Sequence, residues 1–313
     1  MKKNLLVCRS GGRTSEFMYK WLLENKSDEY KIVGIFANTG WEHHKTLEFV
    51  NNNDIDNRNK FGVEPVWLEA VVHEGRKACT HKVVTYETAS RNREPMIEVF
   101  KKYGVANKAY PHCTRELKEN PIHDYVENAL GWSNTKAGKI SSVKMEFAGA
   151  IWHKEFSAYS TALGIRIDEP RRLKESITPQ NKVYPLANWH PEQPDKLDIL
   201  DWWEGQEFDL GIPEHLGNCV GCFRKSDRKC MKAYRDAPDQ FINTMEKAMG
   251  HIGPNKINKK FSDQPRTMYR SYKTCDDVIQ MFNDADPLWL SKDDPEHMNE
   301  GCASSCEPFG GSD

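Results

Sequence analysis

In the first part of the chain, short apolar runs alternate with segments whose apolar residues recur at helical spacing. Leu5–Cys8, Lys31–Ala37 and Glu64–Val72 are short and mostly apolar, which predicts buried strands. Between them, Thr14–Asn25 and Glu42–Val50 carry apolar residues at helical spacing. Because strands that alternate with helices pair in parallel, the pattern predicts an α/β fold on an open, mainly parallel sheet.

The second half of the chain divides by composition. Phe156–Ile165 predicts a further strand, and we expect a five-stranded sheet with helices on both faces. Residues 177–194 are rich in Pro, Asn and Gln, and from Asp195 the pattern is helical with several Trp and Cys residues. We therefore predict a sheet-bearing domain over 1–190 and a mostly helical, cysteine-bearing region over 191–313.

Composition narrows the class of protein. The 313 residues are 38% hydrophobic and 29% charged, which is typical of a folded globular chain. The formal net charge of −2 gives no overall positive field for nucleic acid, although a local basic groove stays possible. The apolar runs are too short to cross a bilayer or to form a signal peptide, so we expect a cytoplasmic location.

The turn after the first strand carries the first candidate chemistry. It reads Ser10-Gly11-Gly12-Arg13-Thr14-Ser15 and leads into a predicted helix that Thr14 or Ser15 could cap. Glycines let the backbone approach an anion, and a helix N-terminus adds partial positive charge. The spacing is neither that of the Walker loop nor that of the G-x-G-x-x-G turn. On its own the turn indicates either an anion site or a simple connection.

The cysteines form a second candidate site. Of nine in the chain, Cys219 and Cys222 form a C-x-x-C pair and Cys230 follows after seven residues. Such a pair occurs in redox dithiols, in zinc sites and in iron–sulfur sites. A four-thiolate site needs one more cysteine. Zinc, a [4Fe–4S] cluster and thiols without metal are all open on spacing alone.

Five blocks in order resemble the phosphoadenosine phosphosulfate (PAPS) reductase branch of the adenine nucleotide alpha-hydrolase superfamily. The first resembles that superfamily's SGGxxS pyrophosphate loop, and the likeness covers about residues 1–250, most of all to phage-borne members. The blocks are Ser10–Ser15, Asn38–Glu42, Cys113–Pro121, Gly164–Glu169 and Tyr184–Trp189. The resemblance implies a Rossmann-like sheet that binds an adenine nucleotide.

The resemblance also implies which residues bind the nucleotide. They are Ser10, Gly11, Gly12, Arg13, Thr14, Ser15, Asn38, Thr39, Gly40, Arg115, Lys118, Gly164 and Arg166. Arg171 or Arg172 is expected to join them, with a solvated loop pair as the alternative. ATP-using relatives often carry a Lys-Asp pair where this chain has Arg13-Thr14. Mg²⁺ would accompany ATP if ATP is the substrate. The missing acid weakens the prediction of where Mg²⁺ would bind but leaves the phosphate-binding loop intact.

The same resemblance supplies a fourth cysteine. Cys113 lies five residues before Lys118, as a cysteine does in the cluster-containing sulfonucleotide reductases. This implies a [4Fe–4S] cluster, with zinc as the alternative, on Cys113, Cys219, Cys222 and Cys230. Those reductases have two adjacent cysteines, whereas here Thr114 follows Cys113, so Cys230 would replace the missing ligand.

A cysteine near the C-terminus of such reductases attacks the sulfonate sulfur of the substrate. By resemblance, Cys302 and Cys306 are the candidate catalytic residues here, the alternative being tail cysteines without a role. The implied function is reduction of a sulfonucleotide to sulfite with a thioredoxin-like reductant as partner.

Two other functions stay open. One is an ATP-dependent sulfurtransferase or adenylating enzyme that thiolates nucleic acid, which would need a sulfur donor. The stretch Arg266–Lys273 interleaves Arg, Tyr and Lys and could contact that nucleic acid. The other is a non-catalytic nucleotide-binding module. Neither a membrane nor a membrane partner is expected.

Overall fold

The structure is a computed structural model. It describes residues 2–133, 142–147, 150–155, 158–173, 181–241, 269–270 and 273–285. In chain order the strands are β1 Lys3–Arg9, β2 Tyr30–Asn38, β3 Val66–Val71, β4 Thr80–Val84, β5 Ser142–Phe147, β6 Ala150–Glu155, β7 Tyr159–Ala162 and β8 Lys182–Val183.

The α-helices are α1 Arg13–Lys26, α2 His44–Phe61, α3 Glu94–Tyr103, α4 His112–Thr114, α5 Asn120–Asn128, α6 Pro185–Asn188, α7 Lys196–Glu204, α8 Asp227–Asp236 and α9 Cys275–Asn283. A π-helix spans Arg115–Glu119, and a 3₁₀-helix spans Glu214–Leu216. Among the residues described, every helix is too short or too polar to span a lipid bilayer.

The main sheet has six strands in the order β4-β3-β2-β1-β7-β8. β1 pairs in parallel with β2 and β7, and β7 pairs in parallel with β8, whereas β3 and β4 are antiparallel. The predicted α/β class and mostly parallel sheet are confirmed, but the sheet has six strands instead of five. The sequence pattern missed β4 because Thr80–Val84 is a half-exposed strand whose polar residues break the apolar run. β5 and β6 form a separate antiparallel pair.

The burial of the central strand β1 explains why the sequence predicted it. Leu5, Leu6, Val7 and Cys8 are each 0% exposed, with parallel neighbours on both sides. A strand buried on both faces reads as a continuous apolar run, as parallel sheets do generally. β1 and β7 run in the same direction with Val7 opposite Ala162. The residues that follow the two strands therefore lie side by side at the carboxyl-terminal ends of the strands.

The chain divides into two compact units, each made of three stretches. Unit 1 comprises residues 1–36, 50–66 and 122–209. Unit 2 comprises residues 37–49, 67–121 and 210–313. The predicted domain boundary near residue 191 stays a prediction.

Candidate functional site

In unit 1, the turn between β1 and α1 presents an uncapped helix N-terminus. Gly11 has φ +79°, a left-handed conformation that favours glycine. Gly12 is the N-cap residue of α1, and no side chain caps this helix. The predicted capping by Thr14 or Ser15 is therefore wrong. The first amides of a helix have no intrahelical acceptor, so this turn directs donors outward from the helix start.

Ser15 does not cap α1 because its hydroxyl holds the loop. The Ser15 Oγ accepts from the Ser10 amide at 3.1 Å and from the Ser10 hydroxyl at 3.0 Å. It donates in turn to the Gly12 carbonyl at 3.0 Å. The two serines therefore fix the shape of the turn from within.

A buried ion cluster fastens the strand end to the helix. Arg9 is 2% exposed, and its Nη2 lies 2.7 Å from Glu16 Oε2 and 2.6 Å from Asp54 Oδ1. Burial alone would lower the pKa of Arg9, but Asp54 and Glu16 outweigh burial and raise it. Arg9 is thus always charged, and its ion pairs with Glu16 and Asp54 support the loop. Sequence reasoning missed it, although a charged residue that ends an apolar strand is a usable signal.

Arg166 comes to the same turn from β7. It is 5% exposed, and its Nη1 donates to Thr14 Oγ1 at 3.3 Å. Its other nitrogens donate to Asp168 at 2.8 and 3.1 Å, and Glu169 lies 3.4 Å away. Buried Gly164 lies between β7 and Arg166, at the edge of the sheet where β1 also ends. The structure therefore brings Gly164 and Arg166 together with Ser10–Ser15.

Arg13, Arg166 and Arg172, which were expected around a polyanion, are already paired with carboxylates. Arg13 makes a two-bond ion pair with Asp209, and Arg172 pairs with Glu169. Each of these three arginines thus has a carboxylate partner within the described part of unit 1. An anionic ligand would meet the backbone amides and the helix dipole first and would have to draw the arginines from their carboxylates.

In unit 2, three of the four candidate metal ligands line one cavity. The cavity is lined by Cys113, Cys219 and Cys222, and its walls are almost wholly apolar. Its volume is about 420 Å³ when the part open to solvent is included. Thr39, Lys118 and Tyr269 also line it. As placed, no three His, Cys, Asp or Glu side chains of the described residues form a ready-made metal site.

A π-helix brings Lys118 to the cavity that Cys113 lines. The Asn120 amide donates to the Arg115 carbonyl, five residues back. In a regular α-helix, residues five apart would point about 140° away from each other. The wider π-turn brings them closer to one face, and such turns are frequent at functional sites. Arg115 instead is exposed and pairs with Glu116 at 3.0 Å.

The Asn38-Thr39-Gly40 block is packed inside unit 2. Asn38 is 0% exposed and donates to Glu69 Oε1 at 2.8 Å and to the Ser90 carbonyl at 2.9 Å. Thr39 Oγ1 donates to Glu42 at 2.9 Å and lies 3.4 Å from Cys219 Sγ. Gly40 has φ +74°. The described contacts of this block thus reach the C-x-x-C loop, and its role toward a nucleotide stays a prediction.

Trp41 and Glu42 hold the C-x-x-C loop. Glu42 and Cys219 form an isolated antiparallel bridge, and the Val220 amide donates to the Trp41 carbonyl at 3.0 Å. A Cβ on Gly221 would lie 2.3 Å from Trp41 Cζ2, so only glycine lets the ring approach this closely. Sequence reasoning missed both roles, because nothing local links residue 41 to residue 221.

Cys230 lies apart from the other candidate ligands. It is 0% exposed and is not among the residues that line the cavity. Burial raises the pKa of its thiol. Cys302 and Cys306 lie outside the described residues, so their catalytic role stays a prediction.

Together, fold and sites define an α/β protein with an amide-rich turn at the sheet edge and, in its other unit, a cavity lined by three thiols. No protein-family model matches the chain, and no solved structure matches it. It is 31% identical to the uncharacterised nin region protein ORF290 of Escherichia phage lambda, over 318 residues that cover 98% of this chain and 95% of the phage protein. The chain therefore belongs to the family of ORF290.

Proposed function

We propose that the protein binds the phosphate chain of an adenine nucleotide and reduces a sulfonucleotide to sulfite, as PAPS reductases do. The observation that carries the proposal is the turn between β1 and α1, with its uncapped amides, Gly11 at φ +79° and Arg166 on Thr14. Such a turn suits phosphate oxygens because the N–H groups and the helix dipole both favour negative charge.

The arrangement of Arg166 supports a ligand that exchanges partners. Its guanidinium already contacts the turn, and Asp168 holds it at 2.8 and 3.1 Å. A phosphate or sulfate offers oxygens at the same planar spacing as a carboxylate and with more charge. In the proposed complex, Arg166 moves from Asp168 to the ligand while the loop's amides hold the neighbouring oxygens. The adenine part of the proposal rests on the sequence resemblance.

The thiols of unit 2 fit an iron–sulfur centre by their chemistry. Cys113, Cys219 and Cys222 line one apolar cavity, and thiolates are the ligands that such clusters use. These residues would supply three of the ligands of the cluster, with zinc as the alternative metal. A bound cluster would supply one-electron redox capacity. Lys118 lines the same cavity and would supply positive charge beside the anionic sulfurs.

The proposed reaction balances as three displacements. A cysteine thiolate, for which Cys302 and Cys306 are the candidates, attacks the sulfonate sulfur, and the S–O bond to the nucleotide phosphate breaks with its electron pair on the phosphate. A dithiol of the thioredoxin class then attacks the cysteine sulfur of the resulting S-sulfocysteine. Sulfite leaves, and a mixed disulfide joins the cysteine to the dithiol. The second thiolate of the dithiol then attacks its partner sulfur, which releases the cysteine thiolate and leaves the dithiol oxidised to a disulfide.

The test pairs calorimetry with product analysis on anaerobically purified protein. Binding of PAPS and release of one sulfite for each dithiol oxidised would support the proposal, as would loss of release in a Cys302→Ser/Cys306→Ser variant that still binds. Pyrophosphate from ATP without sulfite from PAPS would instead favour the sulfurtransferase. Binding without turnover would favour a nucleotide-binding module. No heat with PAPS, ATP or AMP would refute nucleotide binding altogether.

A further inference from the structure

Tyr269 reaches the centre of the C-x-x-C loop from a distant part of the chain. It is 2% exposed and lines the thiol cavity. Its hydroxyl donates to the Gly221 carbonyl at 2.7 Å. Gly221 lies between Cys219 and Cys222, so this bond holds the Gly221–Cys222 peptide, next to the second thiol.

Arg270 contacts the chain just after the loop at three points. Its Nη1 donates to the Lys225 carbonyl at 2.5 Å and to Cys230 Sγ at 3.2 Å. Its Nη2 lies 2.8 Å from Asp227 Oδ1, at the first residue of α8. A planar guanidinium can serve three acceptors at once, which a lysine cannot do with the same geometry.

The Cys230 thiol is held by contacts of its own within this part of the chain. Its Sγ lies 3.6 Å from the Cys222 carbonyl and 3.8 Å from the Lys225 carbonyl, and it accepts from Arg270. To reach a metal in the cavity, its side chain would have to give up these contacts. Its position is that of a support for the Cys222–Lys225 turn.

The segment that carries Tyr269 and Arg270 is itself fixed. The Tyr269 amide donates to the Lys273 carbonyl at 2.9 Å, and the Lys273 amide donates to the Arg270 carbonyl at 2.8 Å. Buried Cys275 then begins α9. In the Arg266–Lys273 stretch, where the sequence suggested a nucleic-acid contact, Tyr269 thus contacts the cysteine loop and Arg270 contacts the chain that follows it.

We infer that Tyr269 and Arg270 are positioning residues, Tyr269 for the C-x-x-C loop and Arg270 for the turn that follows it, and that Cys230 supports that turn and is not a metal ligand. Of the four candidate ligands, Cys113, Cys219 and Cys222 then remain. The statement about ligands rests on the proposed function, whereas the statement about positioning holds for the metal-free protein as well.

The first experiment measures iron, zinc and acid-labile sulfide per chain after anaerobic purification. Cys230→Ala is expected to keep at least half of the wild-type metal with an unchanged visible spectrum, and Cys222→Ala to lose nearly all of it. Cys230→Ser repeats the comparison with a polar side chain, in case alanine fails to fold. Metal loss in folded Cys230→Ala or Cys230→Ser as complete as in Cys222→Ala would overturn the ligand assignment.

The second experiment labels the metal-free protein with a maleimide and maps the rate at each cysteine by mass spectrometry. Tyr269→Phe removes only the hydroxyl that holds Gly221, so Cys219 and Cys222 should label about 5- to 10-fold faster, as expected for one lost hydrogen bond. Arg270→Gln should do the same, with Arg270→Lys between it and wild type. The matched control is Tyr234→Phe, whose hydroxyl contacts Asn283 at 3.4 Å and should leave both rates unchanged.

The two experiments separate the two ideas. Wild-type protein without iron or zinc would refute the metal centre of the proposed function, while the labelling rates would still test the positioning role. Equal labelling of Cys219 and Cys222 in wild type, Tyr269→Phe and Arg270→Gln would overturn that role even if the protein carries a full complement of iron.

Discussion

Gly12 offers a clean way to test whether the turn between β1 and α1 binds phosphate. Its backbone has φ −97° and ψ 162°, which any residue can adopt. A Cβ there would meet only Ser10 Oγ, at 3.6 Å, which is an ordinary contact. Gly12→Ala therefore puts a methyl group into the turn without displacing any atom of the fold. Gly11 could not serve, because its φ of +79° makes every substitution strained.

The expected effect on stability is small. Alanine is a poorer N-cap residue than glycine by up to about 1 kcal/mol. It also reduces the freedom of the unfolded chain, which stabilises by about 0.4–1 kcal/mol at a compatible position. The two effects have opposite signs, so we expect the free energy of unfolding to change by less than about 1 kcal/mol.

The expected effect on ligand binding is large. A methyl group at the helix start keeps phosphate oxygens from at least one amide, and a hydrogen bond to a charged group contributes about 1.5–3 kcal/mol. At about 1.4 kcal/mol for each tenfold change, the Kd for PAPS or ATP should rise about 10- to 150-fold. Calorimetry measures the Kd, and chemical denaturation measures the free energy of unfolding.

Gly205→Ala is the matched control. A Cβ at Gly205 would meet the Trp202 carbonyl at an ordinary 3.5 Å, in the same unit but at the end of α7. It should leave both the Kd and the stability near wild type. If Gly12→Ala binds PAPS and ATP as tightly as Gly205→Ala does, the amides of this turn do not hold the ligand.

The remaining predictions concern charge, pH and packing. Asp209→Asn releases Arg13 from a half-exposed ion pair, so the Kd for ATP measured by calorimetry should fall by up to about 5-fold, and a higher Kd would contradict this. Burial and nearby cations lower the pKa of His43 to about 4, so its contribution to stability is complete above pH 6.5 and is lost as the pH falls toward 4. His43→Asn should therefore lose less thermal stability between pH 7 and pH 5 than wild type, and an equal loss in both would refute this. Gly221→Ala forces a methyl group to within 2.3 Å of Trp41 and should cost about 1–3 kcal/mol in chemical denaturation, whereas a wild-type midpoint would contradict the close packing.

The sequence predicted the central strands well and the sheet edges poorly. Leu5–Cys8 and Lys31–Ala37 fall within β1 and β2, because a strand covered on both faces needs apolar residues at successive positions. Thr80–Val84 is half exposed and was missed, and Lys182–Val183 is too short to give any pattern. The predicted strand at Phe156–Ile165 contains β7, although β7 itself is only four residues long.

The sequence likewise predicted some features of the candidate sites and missed others. The glycine turn and the C-x-x-C pair were readable because their chemistry depends on residues adjacent in the chain. The partners of the cations were not readable. Arg13 pairs with Asp209, 196 positions away, and Arg166 contacts Thr14, 152 positions away, and no local pattern indicates either partner.

By itself the sequence determined the alternation of strands and helices, the turn that follows the first strand, and the spacing of the cysteine pair. These are local properties, set by side-chain volume, by backbone freedom at glycine and by hydrophobic periodicity. Only the tertiary structure decided three contacts. Lys118 and Cys113 line the same cavity, Cys230 accepts a hydrogen bond from Arg270, and Thr39 contacts Cys219. Those contacts depend on the path of the chain and on the π-turn, since a buried polar group takes whichever partner the folded chain brings within reach.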